Sequence, residues 1–185
     1  MTAGSLWQPA ADSAQCISSG LLALLRSTDR KDLIAYHNAF TEYSLALMLY
    51  ATGHRPVEDP FCYRYQLDEV AGFALIDDKV SNESRRYRLA YLPDVAQQQA
   101  TYYLDHLTNL LAYLKPRRQP ELRAALEQIL SGSRSQKLPL YFYLRAGRVE
   151  GIAHADISSM YSRYFKVPGN IHRKWIGSTL AQLQA

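Results

Sequence analysis

The spacing of apolar residues changes along the chain and divides it into helical and extended segments. Apolar side chains recur three or four positions apart in residues 14–26 and 31–52, which is the spacing of one face of an α-helix. Between residues 72 and 93 the period becomes two, which predicts two strands joined through the polar stretch KVSNES as a β-hairpin. Residues 138–144, LPLYFYL, form a short apolar run that predicts a third strand.

The rest of the chain predicts further helices separated by short breaks. Pro93-Asp94 ends the hairpin and begins a helix whose apolar stripe is Tyr103, Leu107, Leu110, Leu111 and Leu114. PELRAALEQIL predicts a second helix with a proline in its first turn and Gly132 after its end. A third helix in this part of the chain is predicted for residues 155–165, and a final helix is predicted to begin near Asn170. The inward side chains of the third helix are expected to be Ile157, Met160, Tyr161 and Tyr164.

The helix predicted for residues 31–52 has a well-defined end. Gly53 is expected to be its left-handed C-cap, and Pro56 prevents the helix from continuing. His37 lies on the apolar side of this helix, where we expect a hydrogen-bonded core histidine rather than a metal ligand.

Together these elements predict an α+β fold: a mainly helical domain with a small antiparallel β-sheet, made of the hairpin and a third strand, on one side. Residues 1–30 are predicted to be an N-terminal segment with a short helix, and residues 31–185 the main domain. The length of 185 residues, with 48% hydrophobic and 21% charged residues, fits one globular unit.

The composition also narrows the class of protein. Two cysteines, Cys16 and Cys62, make neither a disulfide framework nor a zinc motif, and we expect both to be reduced. No apolar run is long enough to span a membrane, and the N-terminal residues lack the pattern of a secretory signal. We therefore expect a cytoplasmic protein without a membrane partner.

The net charge of +4 is mild, but its distribution is informative. Any one pair of basic residues is best interpreted as solvated surface, whereas five groups from residue 85 onward together indicate a surface that faces phosphate. These groups are Arg85, Arg86 and Arg88; Arg117 and Arg118; Arg145 and Arg148; Arg163 and Lys166; and Arg173 and Lys174.

Three separated segments offer cations for one anionic site. Arg55 follows the expected C-cap, and Glu58 can orient its guanidinium. Lys79 is expected at the tip of the hairpin, where an amine can hold a phosphate or donate a proton. On a helix Asn170, Arg173 and Lys174 share one face. Taken singly, Arg55 and Lys79 are better explained as ordinary surface charges.

In their order, these segments resemble the catalytic domain of the tyrosine recombinases, the phage-integrase family. The matching motifs are TGHRPVE at residues 52–58, IDDKVSNESRRYRLAYLP with its lysine, LPLYFYLRAGRVEG, and NIHRK at residues 170–174. The resemblance covers roughly residues 30 to 183 and implies an integrase-like fold, with residues 31–185 as a partial catalytic domain.

The resemblance implies DNA strand cleavage and rejoining without a metal or other cofactor. Arg55 and Arg173 would hold the scissile phosphate, and Lys79 would protonate the departing 5′-hydroxyl. Asn170 and Lys174 would complete the catalytic set, with Glu58 as support. The expected partner is double-stranded DNA, with self-association on it, in the recombination or integration of a mobile element at the nucleoid. The residues expected to contact DNA are Arg85, Arg86, Arg88, Arg145 and Arg148.

The chain departs from the family pattern in two ways. Asn170 stands where the family usually has histidine, and an amide cannot shuttle a proton. The nucleophilic tyrosine is expected tens of residues beyond Arg173, but no tyrosine follows Tyr164. We therefore do not expect this chain to complete cleavage alone. The alternatives are a non-catalytic DNA-binding protein on the same scaffold and a helical protein-interaction module.

Overall fold

The computed structural model of the protein describes residues 30–54, 63–81, 84–114, 119–135, 138–153, 155–157 and 159–160, with only the backbone described for residues 30, 31, 77–81 and 84–86. The chain forms helix α1 (Arg30–Thr52), a 3₁₀ turn (Arg64–Gln66), strands β1 (Leu67–Asp68), β2 (Phe73–Ser81) and β3 (Ser84–Tyr91), helices α2 (Asp94–Leu114) and α3 (Pro120–Leu130), and strands β4 (Phe142–Arg145) and β5 (Arg148–Gly151). All described strand pairs are antiparallel, which confirms the predicted α+β class, but the strands form two sheets rather than the one that was predicted.

Helix α1 is buried along most of its C-terminal half. Its Leu45, Met48 and Leu49 are fully covered, as expected for an apolar helix face. The Thr52 hydroxyl donates a 2.7 Å hydrogen bond to the Met48 carbonyl, which satisfies a polar group within the helix itself. Gly53 has a φ of 60°, so the predicted left-handed C-cap is confirmed.

Strands β1, β2 and β3 form one sheet in that order. Pairing between β2 and β3 runs from Phe73 opposite Tyr91 to Ser81 opposite Ser84. The predicted hairpin is thus confirmed, but its strands extend into the stretch that was expected to be the turn. The sheet contacts the core through the buried side chains of Leu67, Ala74, Ile76 and Ala90, whereas Tyr91 is 58% exposed.

Strands β4 and β5 form a second, separate sheet. The prediction that residues 138–144 supply the third strand of the hairpin sheet is wrong, because β1 takes that place. The stretch RVEG pairs back onto FYLR through a two-residue turn, in which Ala146 and Gly147 have φ values of 50° and 79°. Positive φ at both central residues is the geometry of a type I′ turn, whose twist matches that of the flanking strands.

The helices enclose one apolar core. On α2 the predicted stripe is confirmed, since Tyr103, Leu107, Leu110 and Leu114 are buried and Leu111 packs against them. The Tyr103 ring stacks on Tyr141 with the ring centres 4.7 Å apart. Residues 155–157 and 159–160 are helical, and Ile157 and Met160 are buried as expected. Tyr161, Tyr164 and the helices predicted for residues 14–26 and from Asn170 lie outside the described residues.

Candidate functional site

Most of the side chains predicted to form the phosphate site lie outside the described part of the chain. Two stretches outside it, residues 55–62 and 161–185, contain Arg55, Glu58, Asn170, Arg173 and Lys174. Lys79 belongs to β2, where only the backbone is described. The meeting of these residues at one phosphate therefore stays a prediction.

The backbone that leads to Arg55 is held against the core. Thr52 and His54 are 4% and 5% exposed, and Gly53 between them takes the left-handed conformation. A residue with a side chain would strain the backbone in that conformation, so the glycine permits the sharp exit from α1. The chain thus leaves the helix in a fixed direction one residue before Arg55.

Lys79 lies on a β-bulge rather than in the turn of the hairpin. The strand pairing passes from Asp77 opposite Tyr87 directly to Val80 opposite Arg85, so β2 contains one residue more than β3 over this interval. The extra residue falls at Asp78–Lys79. A bulge interrupts the alternation of side chains and bends the strand, and it is one way to redirect a side chain near a site.

The two arginines of the β4–β5 hairpin differ in their surroundings. Arg145 donates hydrogen bonds to Glu150 at 2.8 Å and Asp156 at 3.3 Å, and its guanidinium lies 4.7 Å from the centre of the Tyr143 ring. Its hydrogen bond to Glu150 raises the pKa of Arg145. Arg148 is exposed on the opposite strand, and none of the described carboxylates forms an ion pair with it.

The other three arginines predicted to contact DNA lie on β3. Arg88 is partly buried and stands opposite Ile76, whereas only the backbone is described for Arg85 and Arg86. The basic stretch SRRYR is therefore strand rather than loop, beside the exposed side chains of Tyr87 and Leu89. Whether these arginines contact DNA stays a prediction.

A buried polar network that sequence patterns did not reveal joins α1, α2 and β4. The His37 Nε2 atom lies 3.1 Å from the Phe142 carbonyl oxygen, and its Nδ1 lies 3.0 Å from His106 Nε2. Since a carbonyl only accepts, His37 donates through Nε2 and must accept through Nδ1 from His106. The expectation that His37 is a hydrogen-bonded core residue is confirmed.

Both imidazoles of this network are neutral near pH 7. Burial, together with the neighbouring His106, lowers the pKa of His37 to about 3. Burial also lowers the pKa of His106 to about 4. Thr41 adds a hydroxyl 3.0 Å from the Tyr103 oxygen, and burial raises the pKa of that phenol. The pair links α1 to α2, with His37 fully buried and His106 partly buried.

Asn38, next to His37 on α1, forms hydrogen bonds with the backbone of β4. The Asn38 amide donates to the Leu144 carbonyl at 3.1 Å, while the Leu144 N–H donates to the Asn38 side-chain oxygen at 2.8 Å. This two-way contact satisfies both backbone groups of Leu144. One residue before Leu144, Tyr143 donates a 3.0 Å hydrogen bond to Glu42, and burial together with Glu42 raises the pKa of that phenol.

No described helix is both long enough and apolar enough to cross a bilayer. Across the described residues, histidine, cysteine and carboxylate side chains nowhere gather in a group of three or more that could hold a metal ion. Comparison of the chain with protein-family models, curated proteins and solved structures found no match. Function is therefore inferred from the sequence motifs and from the elements that carry them.

Proposed function

We propose that the chain is the phosphate-binding part of a tyrosine recombinase-like catalytic domain that acts on double-stranded DNA. In this proposal Arg55 and Arg173 bind the scissile phosphate, and Lys79 exchanges a proton with the 5′-oxygen. Asn170 and Lys174 donate further hydrogen bonds to the phosphate, and Glu58 orients Arg55. The protein would work on nucleoid DNA in the integration or recombination of a mobile element.

The observation that supports this proposal is the order of the elements between the two arginine segments. A helix with a left-handed cap precedes Arg55, a hairpin carries Lys79, two helices follow, and a short hairpin and helical residues precede Arg173. The resemblance to the recombinase family, which is based on the sequence motifs, implies the same order of elements. The integrase-like arrangement of these elements in space is part of the proposal.

The given sequence contains no tyrosine after Arg173, and this determines which half of the reaction can test the proposal. The rejoining half of the reaction needs no tyrosine from the protein if the DNA already carries a phenol ester. A nicked duplex with a 3′-(p-nitrophenyl) phosphate beside a free 5′-hydroxyl provides that ester. The 5′-oxygen attacks phosphorus, the bond to p-nitrophenolate breaks, and the hydroxyl proton passes to the neutral amine of Lys79.

We expect strand joining together with release of p-nitrophenolate. Replacing Arg55 or Arg173 by alanine should slow joining by about 10²–10³-fold, because each removes a donor to the phosphate in the transition state. Lys79→Ala should slow it by about 10²–10⁴-fold. The matched control is Arg123→Ala, which removes an exposed arginine whose ion pair, with Glu127 at 2.8 Å, lies within α3.

The same assay separates the alternative functions. One outcome is salt-dependent binding of duplex DNA without joining, and no covalent adduct when the full-length protein is given nicked DNA. That outcome would favour the non-catalytic DNA-binding protein. Flat titrations with duplex DNA at low salt would overturn both DNA-based functions and favour the protein-interaction module. Equal joining rates in the arginine variants and the control would refute the phosphate role of Arg55 and Arg173.

A further inference from the structure

An apolar groove lies at the end of the helical body where three helix termini meet. The first turn of α1, the last turn of α2 and the first turn of α3 line it, together with the turn between β4 and β5. Its main lining side chains are Leu33, Ile34, Leu110, Tyr113, Leu114 and Leu122. Leu33 and Ile34 are only partly buried, although both pack against the core.

We propose that this groove binds residues 14–26 of the same chain as an amphipathic helix. The apolar positions of that segment, Ile17, Leu21, Leu24 and Leu25, share one helical face. An apolar helix face laid into an apolar groove is a common mode of recognition. The proposal is independent of the DNA chemistry proposed above.

The short connection to α1 makes this segment the favoured occupant. Arg26 is separated from Arg30, the first residue of α1, by residues 27–29, and four residue steps span at most about 14 Å. The groove begins within one turn of that point, at Leu33. A segment tethered so closely has an effective concentration of about 1 mM or more, which a second copy in solution does not reach.

Charge also distinguishes this segment from two other segments outside the described residues, 55–62 and 161–185. Residues 14–25 contain no charged side chain, and the described lining of the groove contains none either. In contrast, residues 55–62 contain Arg55, Glu58 and Asp59, and residues 161–185 contain four lysines and arginines. Burying such charges in an apolar groove without partners is costly.

The test places one thiol in the groove and measures its access to a reagent. In a chain with Cys16→Ser and Cys62→Ser, Leu33→Cys provides the reporter. The double substitution Leu21→Glu with Leu24→Glu should release the segment and speed alkylation of the reporter by about tenfold or more. The matched control, Ser19→Glu with Ala23→Glu, adds the same charge to the opposite helical face and should leave the rate unchanged.

Two further measurements keep the test decisive. A second reporter, Gln128→Cys, lies on the exposed side of α3 away from the groove, and its alkylation rate should be the same in both double variants. Hydrogen exchange of residues 30–38 in chains with native cysteines should rise only in the Leu21→Glu, Leu24→Glu variant. Equal alkylation rates at Leu33→Cys in the two variants would overturn the proposal. Protection that grows with protein concentration would also overturn it, because the occupant would then be a second copy.

Discussion

Acidification should destabilise this protein through the His37–His106 pair well before its carboxylates titrate. Burial lowers the pKa values of His37 and His106 to about 3 and about 4, whereas in the unfolded chain each has its ordinary pKa of about 6.5. The unfolded state therefore binds up to two more protons than the folded state below pH 6.5. Stability is thus fully present above that pH and is lost as the pH falls toward 4.

The size of the loss follows from these pKa values. At pH 5.5 each histidine lies one pH unit below its unfolded pKa, which costs about 1.4 kcal/mol for each and about 3 kcal/mol for the pair. Between pH 8 and pH 5.5 carboxyl groups with ordinary pKa values remain ionised, so they contribute little to this change. The free energy of unfolding should accordingly be about 3 kcal/mol lower at pH 5.5 than at pH 8.

Urea unfolding followed by circular dichroism at a series of pH values would measure this loss. His106→Gln keeps a side-chain N–H that can donate to His37 but removes one titrating group, so the loss attributable to the pair should fall to about half. A free energy of unfolding that stays constant from pH 8 to pH 5.5, or an undiminished loss in His106→Gln, would refute the reasoning.

Three further predictions concern packing and charge. Asn38→Ala should lower the free energy of unfolding by about 2–4 kcal/mol in urea unfolding, because it leaves two backbone groups of β4 without partners. Gly72→Ala should cost about 1–3 kcal/mol, since Gly72 has a φ of 75° and a new Cβ would lie 2.6 Å from a glutamine side chain. Gly151→Ala, where a Cβ meets nothing within 4 Å, should change stability by less than about 0.5 kcal/mol. If DNA is bound, Arg148→Ala should reduce the slope of log affinity against log salt by about one, and Arg145→Ala should reduce it less, because carboxylates already occupy its guanidinium.

The elements that could be predicted from the sequence are those fixed by local patterns. Pro93-Asp94 begins α2 because proline suits a helix start, and the stripe from Tyr103 to Leu114 follows from the 3.6-residue period alone. Gly53 has its positive φ because the helix must end before a proline. Each of these features depends on residues only a few positions apart, so the sequence is sufficient to locate them.

The features that could not be predicted depend on residues far apart in the chain. Strand β5 is four residues long and largely exposed, so RVEG carries no strand pattern until it pairs with β4. The two-residue period of β3 predicted that Tyr87, Leu89 and Tyr91 share a face, but not that this face is exposed. His37 and His106 are 69 residues apart, and no pattern in either helix indicates that they meet.

The candidate site depends both on local sequence motifs and on contacts between residues far apart in the chain. Short motifs, each a few residues long, were enough to propose Arg55 and Arg173 as phosphate-binding residues. Their proposed meeting at one phosphate depends instead on the packing between distant elements. Lys79 shows the difference, because the hairpin was predictable but the bulge on which it lies was not. The bulge depends on how β2 and β3 align, and a shift of one residue there would turn the following side chains to the other face.

The buried polar network bears directly on how such a site could be held together. Arg55 follows the end of α1, and Arg173 follows the β4–β5 hairpin and the helical residues after it. His37 and Asn38 bind α1 to the backbone of β4, at Phe142 and Leu144. Hydrogen bonds to backbone groups restrict both the distance and the direction between a helix and a strand, whereas apolar packing alone tolerates sliding. The network therefore joins α1, which leads to Arg55, to β4, which precedes the segment that contains Arg173.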